Sequence, residues 1–332
     1  LFYLFSFLLL AKIQKKEYFS IRKEKEGIMS TTRKEFIKTS SFFLGGLLLG
    51  GAKFDFFQQN LGKGFRIIND NIGIYTEKGG AILWYVSKDG CAVVDAQFPD
   101  SAKNLFDGLK SKYVKKIDYL FNTHHHPDHT AGNFYLKDFA DKIIANENCA
   151  RLQKIKNGGG EKDKTQAYPD TTFQSQGIYG LVKEQIQAYH FYPAHTGGDS
   201  IYHFVNSNVV HMGDIVFNGF TPYFNLSDEG SLTTWIKCLE KAVSLFSNDT
   251  IFIFGHSADP EKVIGKKEDL IKMSNYISML LDYVSKGKAA GKSKEEICGA
   301  IDAARFGNIA ELRPGMLKNN AEQAFEELIR GK

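Results

Sequence analysis

Residues 124–129 hold four histidines and one aspartate, in the segment Thr123-His124-His125-His126-Pro127-Asp128-His129-Thr130. At the two-residue period of a strand, His124 and His126 point to one side and His125 to the other, so His125 is expected to support the others rather than to ligate. Pro127 suits the first turn of a helix, where its missing N–H is not needed. Asp128 and His129 then lie in that turn, beside the two histidines. Three imidazoles and a carboxylate facing one way form a donor set that borderline divalent metals favour. The plain alternative is a turn with surface histidines, but chance composition rarely crowds four into six positions. Three later segments add isolated donors in glycine-flanked turns after strands: His195 in Pro193-Ala194-His195-Thr196-Gly197-Gly198-Asp199, Asp214 in Met212-Gly213-Asp214, and His256 in Gly255-His256-Ser257. Each alone is a turn signal. In this order after His-x-His-x-Asp-His, they form a set.

The elements that must position these donors alternate between strand and helix in two successive blocks. Strands are predicted over residues 65–76, 81–87, 91–95, 117–122 and 142–145. After helices at 101–113 and 148–156, further strands follow at 181–189, 200–205 and 209–212. Lys88-Asp89-Gly90 is a hairpin signal. Ser231 is placed to cap a helix running to Phe246, and residues 250–254 form a last β-branched and aromatic strand. Beyond Pro260 the pattern is helical to the end, with glycine breaks near 291 and 315. The glycine-rich stretch 157–164 reads as a mobile loop, simply disordered, with closure over a substrate as the alternative. Two such blocks predict an α/β sandwich.

Composition narrows the function classes. With 43% hydrophobic and 24% charged residues, the chain is globular rather than disordered or repetitive. Four scattered cysteines, at 91, 149, 238 and 298, do not make a disulfide framework or a zinc finger. The net charge of +4 is local: residues 1–53 carry 10 Lys/Arg against 4 Asp/Glu, and the remaining 32 against 34 leave the body near neutral. No phosphate-tracking surface follows, so a nucleic-acid partner is not expected. The first 53 residues read as an upstream and export-signal segment, and 54–332 as one catalytic domain with a helical tail. Leu1–Ala11 would span only ~16 Å as a helix, about half a bilayer core. After Met29, taken as the biological start, Arg33-Lys34-x-Phe36-Ile37-Lys38 precedes a short apolar run to Ala52. That order reads as a twin-arginine-like export signal with one arginine replaced, which makes a periplasmic location the expectation and leaves no stable membrane span in the mature chain.

Taken together, the donors resemble the metallo-β-lactamase superfamily over roughly residues 65–260. The resemblance implies a four-layer αβ/βα sandwich with two divalent metal ions, zinc being the ion expected, at one edge between two sheets. It assigns His124, His126 and His195 to one ion and Asp128, His129 and His256 to the other, with Asp214 bridging. Three donors and a bridge leave each ion an open position for water, as catalytic sites require. Two ions ~3.5–4 Å apart can share a hydroxide and polarise an acyl or phosphoryl oxygen. Asp128 is placed to shuttle the proton of that hydroxide. His190, His203 and His211 match no motif position and read as packing residues. Asp95 and Asp199 resemble positions that orient a ligand imidazole, or else are turn carboxylates. Residues 218–225, with Phe220, Pro222 and Tyr223, could form an aromatic substrate wall or a packed loop.

Departures from subfamilies sort the reaction. Position 214 is Asp rather than Cys, and no Lys or Arg lies between Asp214 and Lys237, which is unlike the cysteine-ligand β-lactamases. The aspartate bridge and helical tail resemble glyoxalase II thioesterases and acyl-homoserine lactonases. The tail, however, shows no clear basic cluster that aligns with a glutathione site. His126 is not the Glu of redox diiron members, and the further motifs of nuclease members are absent. The expected activity is hydrolysis of a small-molecule ester, thioester, lactone or β-lactam. The alternatives are a phosphodiesterase and a metal-binding protein without turnover.

Overall fold

The computed structural model describes residues 61–112, 114–157 and 165–331. The export segment at 1–53 and the loop at Gly158–Gly160 lie outside the described residues. The first sheet starts with β1 (Phe65–Ile67), β2 (Ile72–Tyr75), β3 (Ile82–Ser87) and β4 (Gly90–Val94) as antiparallel neighbours. The single strand expected over 65–76 is therefore two. The side chain of Asn69 accepts from the amides of Asn71 and Ile72 and turns the chain back. Helix α1 (Pro99–Lys110) leads to β5 (Tyr119–Phe121); the short helices α2 (Pro127–Thr130) and α3 (Asn133–Leu136) lead to β6 (Ile143–Asn146); α4 (Glu147–Lys156) precedes β7 (Thr171–Phe173). These crossovers make β4 to β7 parallel and complete a seven-stranded sheet.

The second sheet opens with β8 (Gln176–Leu181), β9 (Glu184–Tyr189), β10 (Ile201–Phe204) and β11 (Val209–His211), all antiparallel. Short strands β12 (Phe217–Asn218) and β13 (Phe220–Thr221) and helix α5 (Leu232–Leu245) follow. Then β14 (Ile251–Ile253) pairs with β11 in parallel, β15 (His256–Ser257) pairs with β12, and β16 (Ile264–Gly265) closes the six-stranded sheet. The tail is α6 (Lys267–Ala289), α7 (Lys294–Gly299), β17 (Ala310–Glu311) and α8 (Met316–Arg330). It is helical as expected except for β17, which pairs with β13 far back in the chain. No described helix is long and apolar enough to cross a membrane.

Side-chain alternation turns these sheets into four layers. In β3, Ile82, Trp84 and Val86 face one side and pack with Leu105, Phe106 and Leu109 of α1. Leu83 and Tyr85 face the other side and pack with Ile186, Tyr202, Phe204 and Ile253 of the second sheet. That sheet's outer face, with Ile201, Val210 and Phe252, is covered by α5, α6 and α8. Both faces of each sheet are thus apolar, which is why the central strands read as nearly continuous hydrophobic runs. The result is an αβ/βα sandwich, as the sequence predicts.

One buried carboxylate ties the tail to this body. Glu327 of α8 accepts from Ser231 Oγ at 2.7 Å, Leu232 N at 2.8 Å and Thr233 N at 3.0 Å, at the start of α5. Ser231 itself caps α5 by accepting from Thr234 N at 3.2 Å, as expected. Glu327→Ala would leave these donors buried without a partner at a helix N-terminus that favours negative charge. The expected cost is roughly 3 kcal/mol, with Glu327→Gln losing less. Urea unfolding of the two variants checks this; equal stability of Glu327→Ala and parent would refute it.

Candidate metal centre

All seven donors named above converge at one edge of the sandwich, where β4 and β5 of the first sheet and β11 and β14 of the second end. The loop after β5 carries His124 and His126. Pro127 starts α2, which places Asp128 and His129 in a first turn after an extended His126. His195 stands in the turn entering β10, Asp214 in a single 3-10 turn after β11, and His256 just after β14. Side-chain donors of His124, His126, His195 and Asp214 form one group, and those of Asp128, His129 and His256 another, each within 4.8 Å of its own members. Asp214 touches both groups: its Oδ2 lies 3.8 Å from His124 Nε2, 3.7 Å from His195 Nε2 and 3.4 Å from His256 Nε2. Two glycines make room. A Cβ on Gly255 would stand 1.9 Å from Asp214 Oδ1, and one on Gly80 would stand 2.1 Å from the His129 ring.

Outer partners assign the imidazole tautomers. Thr123 Oγ1 donates to Asp95 Oδ2 at 2.8 Å and so accepts from His124 Nδ1 at 3.1 Å. His129 Nδ1 donates to Asp95 Oδ2 at 2.7 Å, and His195 Nδ1 to the Tyr223 carbonyl at 2.9 Å. His126 turns the other way, with Nε2 donating to Asp228 Oδ2 at 3.3 Å. His124, His126 and His195 therefore turn lone pairs inward, and His126 Nδ1 lies 3.0 Å from both His124 Nε2 and His195 Nε2. Asp214 Oδ1 is buried, 3.2 Å from His129 Nε2. Lone pairs brought this close repel one another unless a proton or a metal ion stands between them. The donor set, imidazole nitrogen and carboxylate oxygen, is of the kind that fits a divalent metal.

The electrostatics separate the two groups. Burial, reinforced by the neighbouring His129 and His126, drives the His124 pKa well below its ordinary value. Burial, then His126, lowers His195 to about 3. At His129 burial works against the charge, but Asp214, Asp95 and Asp128 outweigh it and raise the pKa well above the ordinary value. His256 is raised too, since Asp214 and Asp128 overcome its burial. Asp128 is buried as well, yet His129 and His256 hold it down at about 2.

Asp95 thus orients a ring, one of the two readings open for it. Asp199 instead closes the His195 turn, accepting from Thr196 N at 2.8 Å and Thr196 Oγ1 at 2.7 Å. His211 is buried, bonded to the Ala81 carbonyl and the Gly213 amide, and so braces the turn that carries Asp214. His190 bonds the Asp199 carbonyl, and His203 packs on Phe246 with ring centroids 5.1 Å apart. His125 faces away from the seven, with Nε2 3.6 Å from Asp228. Asp228 is the main residue that sequence reading missed. It joins His125 and His126 in a third cluster of possible metal donors, but Lys156 Nζ sits 2.6 Å from its carboxylate, where a cation would stand. Its only sequence signal is a turn carboxylate just past the aromatic segment, and Lys156 lies 72 positions earlier in the chain.

Above the donors opens a cavity of about 490 Å³. His126, Asp128, Asp214 and His256 reach it, with Phe98, Phe217 and Tyr223 as aromatic walls and Leu312 and Arg313 from the tail. Of the residues expected to form that wall, Tyr223 does so. Phe220 is buried without reaching the cavity, whereas Phe217, of the same core, does reach it and stacks on His256 at 5.5 Å and 18°.

The sequence model of the metallo-beta-lactamase superfamily matches residues 76–256, more than half of the chain and every donor described here. The chain belongs to the metallo-β-lactamase superfamily. Among curated members, this superfamily chain is 34% identical over 142 residues to a hydroxyacylglutathione hydrolase of Brucella ovis, covering 42% of this chain and 48% of that protein. It is 26% identical over 159 residues to the 2,4-dinitroanisole O-demethylase subunit alpha of Nocardioides sp., covering 48% of this chain and 46% of the relative. The chain thus spans about half the length of the curated relatives it matches. A solved metallo-β-lactamase from Pontibacter korlensis superposes with a TM-score of 0.56 at 16% identity, over 64% of this chain and 98% of that one, a likeness of fold.

Proposed function

We propose that the chain is a dinuclear, zinc-dependent hydrolase that cleaves ester, thioester, lactone or β-lactam bonds, exported by the signal at residues 33–52. The observation that carries the reading is Asp214, shared between two donor groups whose exposed side opens into one cavity. His124, His126 and His195 would hold one ion, Asp128, His129 and His256 the other, with Asp214 between them. When bound, the ions supply Lewis acidity towards an acyl oxygen and make water ionise near neutral pH. The chain's own residues supply position and proton transfer. Asp95 and Asp228 fix the rings of His129 and His126. Asp128 reaches the cavity with Oδ2 3.0 Å from His256 Nε2, placed to take a proton from the attacking water and return it to the leaving group. Phe98, Phe217 and Tyr223 offer an apolar wall to the acyl portion. The hydroxyacylglutathione hydrolase relative supports an acyl substrate. Rates of the zinc-loaded protein on p-nitrophenyl esters, S-acyl thiols and bis-p-nitrophenyl phosphate test the proposal; phosphodiester turnover above acyl turnover would overturn it.

Acid should strip the two ions in order. A proton competes with metal first where the ring pKa is raised, at His129 and His256, and last at His124 and His195, where it is lowered. As pH falls, metal content is expected to pass through a plateau near one ion per chain, with the His124 group still occupied. Dialysis at stepped pH followed by elemental analysis reads this. Loss of both ions in a single step would contradict it. Export is checked in the native host, where the protein is expected outside the cytoplasm and beginning near Ala52; a cytosolic chain retaining Arg33 would remove that part.

A further inference from the structure

A second cavity, of about 840 Å³, shares Phe217 with the cavity over the donors. Its volume is in the ordinary range for a small-ligand pocket. Strand β12, the segment 262–266, the first half of α6 and the chain from Phe306 to Ala310 line it. Charge and apolar surface are sorted along α6. Lys262, Lys266 and Lys272 stand where that helix begins, against one lining carboxylate, Asp269. The carboxylate is already engaged: it accepts from Lys266 N at 3.0 Å and pairs with Lys272 Nζ at 2.9 Å. Lys262 lies 3.6 Å from Asp259, and Lys266 makes no ion pair among the described residues. The 23-residue helix α6 adds the positive end of its dipole at the same place. Further along, α6 presents Met273, Tyr276 and Met279 to the cavity, and Phe306 and Ile309 line it too. At 1.5 Å per residue, positions 273 to 279 make an apolar stretch about 9 Å long. At its end Met279 is 45% exposed, a large apolar side chain left uncovered.

We propose that this cavity is a second binding site, whose ligand is an amphiphilic monocarboxylate: an alkyl chain of medium length with an anionic head. The head meets the three ammonium groups, and the chain lies along Met273, Tyr276 and Met279. Neither half suffices alone. Exposed lysines hold a bare anion weakly, because water and salt screen the pairs. A chainless anion also leaves the apolar half open, and a neutral chain leaves the surplus positive charge unmatched. A ligand that joins the two buries apolar surface and answers the charge together. Phe217, stacked on His256, stands between this site and the metal centre. Binding here needs no metal, so the inference is independent of the hydrolase reading.

The test is calorimetric, on the full chain loaded with zinc. Octanoate is the probe; butyrate is the head with little chain, 1-octanol the chain without charge, and sulfate the charge without chain. The parent is expected to bind octanoate about tenfold or more tightly than each of the other three, since both the buried methylenes and the charge contribute. The double variant Lys262→Glu/Lys266→Glu should weaken octanoate about tenfold or more and leave 1-octanol unchanged. Met279→Glu should weaken octanoate and 1-octanol and leave butyrate as it was. All three positions are exposed, so both variants are expected to fold and to keep the parent's metal content. A carboxylate can also bind zinc, so the titration is repeated on the chelated parent, where octanoate affinity should persist. Loss of octanoate binding on chelation, or an octanoate affinity unchanged in either variant, puts the ligand elsewhere and overturns the proposal. Sulfate or butyrate binding as tightly as octanoate overturns it too, since the apolar half would then have no part.

Discussion

Asp128→Asn, reloaded to the parent's metal content, is expected to lose about 10²-fold or more in kcat, the usual scale of general acid–base catalysis. An amide can occupy the same volume and still present an oxygen to a metal, but it does not accept and return a proton near neutral pH. The geometry gives Asp128 access to both tasks. Its Oδ2 lies 3.0 Å from His256 Nε2 and 3.7 Å from His129 Nε2, while the side chain keeps 30% of its surface exposed at the cavity. Held down at about 2 by His129 and His256, it is ionised at neutral pH and ready to take a proton. KM should change less than kcat, because a lost proton transfer is felt in the transition state. The pH–rate profile of the parent is expected to rise with an apparent pKa near or below ~7, a value belonging to the coupled site and not to Asp128 alone. A fully metallated Asp128→Asn with near-parent kcat would make Asp128 a ligand only.

Asp214→Ala should have the largest effect on metal content. Its Oδ2 approaches three imidazoles, on both sides of the centre, and its Oδ1 a fourth. Truncation removes a donor from both ions at once and leaves neighbouring positive charges without their shared counter-charge. Elemental analysis is expected to give close to two ions per chain in the parent and well under one in Asp214→Ala, with activity lost in that variant and in the chelated parent. His203→Ala, whose ring packs on Phe246, is the control that should keep both ions. A carefully loaded parent holding one ion or fewer, together with an unaffected Asp214→Ala, would refute the dinuclear proposal. Gly255→Ala offers an independent check, since its methyl would overlap Asp214 Oδ1 while leaving every donor in the sequence.

How much of this was legible beforehand depended on the range of the interactions. The two blocks of strands and helices follow from local periodicity, and so does the first turn at Pro127 that sets Asp128 and His129 beside His124 and His126. The division of residues 65–76 into two strands was missed, because a single Asn69 side chain reverses a stretch of uniform β propensity. Strands β7 and β8 were missed as well, because β7 has only three residues and β8, though six long, buries none of its positions fully and so presents no apolar run. Phe217 and Phe220 are both aromatic and three positions apart. Both are buried in the same core, and only the pairing of β12 with β15 decides that Phe217, not Phe220, stacks on His256 and lines the cavity.

The sequence by itself determined the α/β class and the crowding of donors at 124–129, because these rest on residue type and on spacing that a strand or a helical turn converts directly into direction. The order of the four layers and the full set of seven candidate donors came with the family resemblance. Tertiary structure alone decided what surrounds the donors. The Asp228–Lys156 pair behind His126, the Asp95 bond to His129, and the reach of Arg313 into the cavity all join segments far apart in the chain. The physical reason is the same in each case. A hydrogen bond or an ion pair depends on distances of about 3 Å, and such distances are set by how sheets and helices pack, not by their separation along the chain.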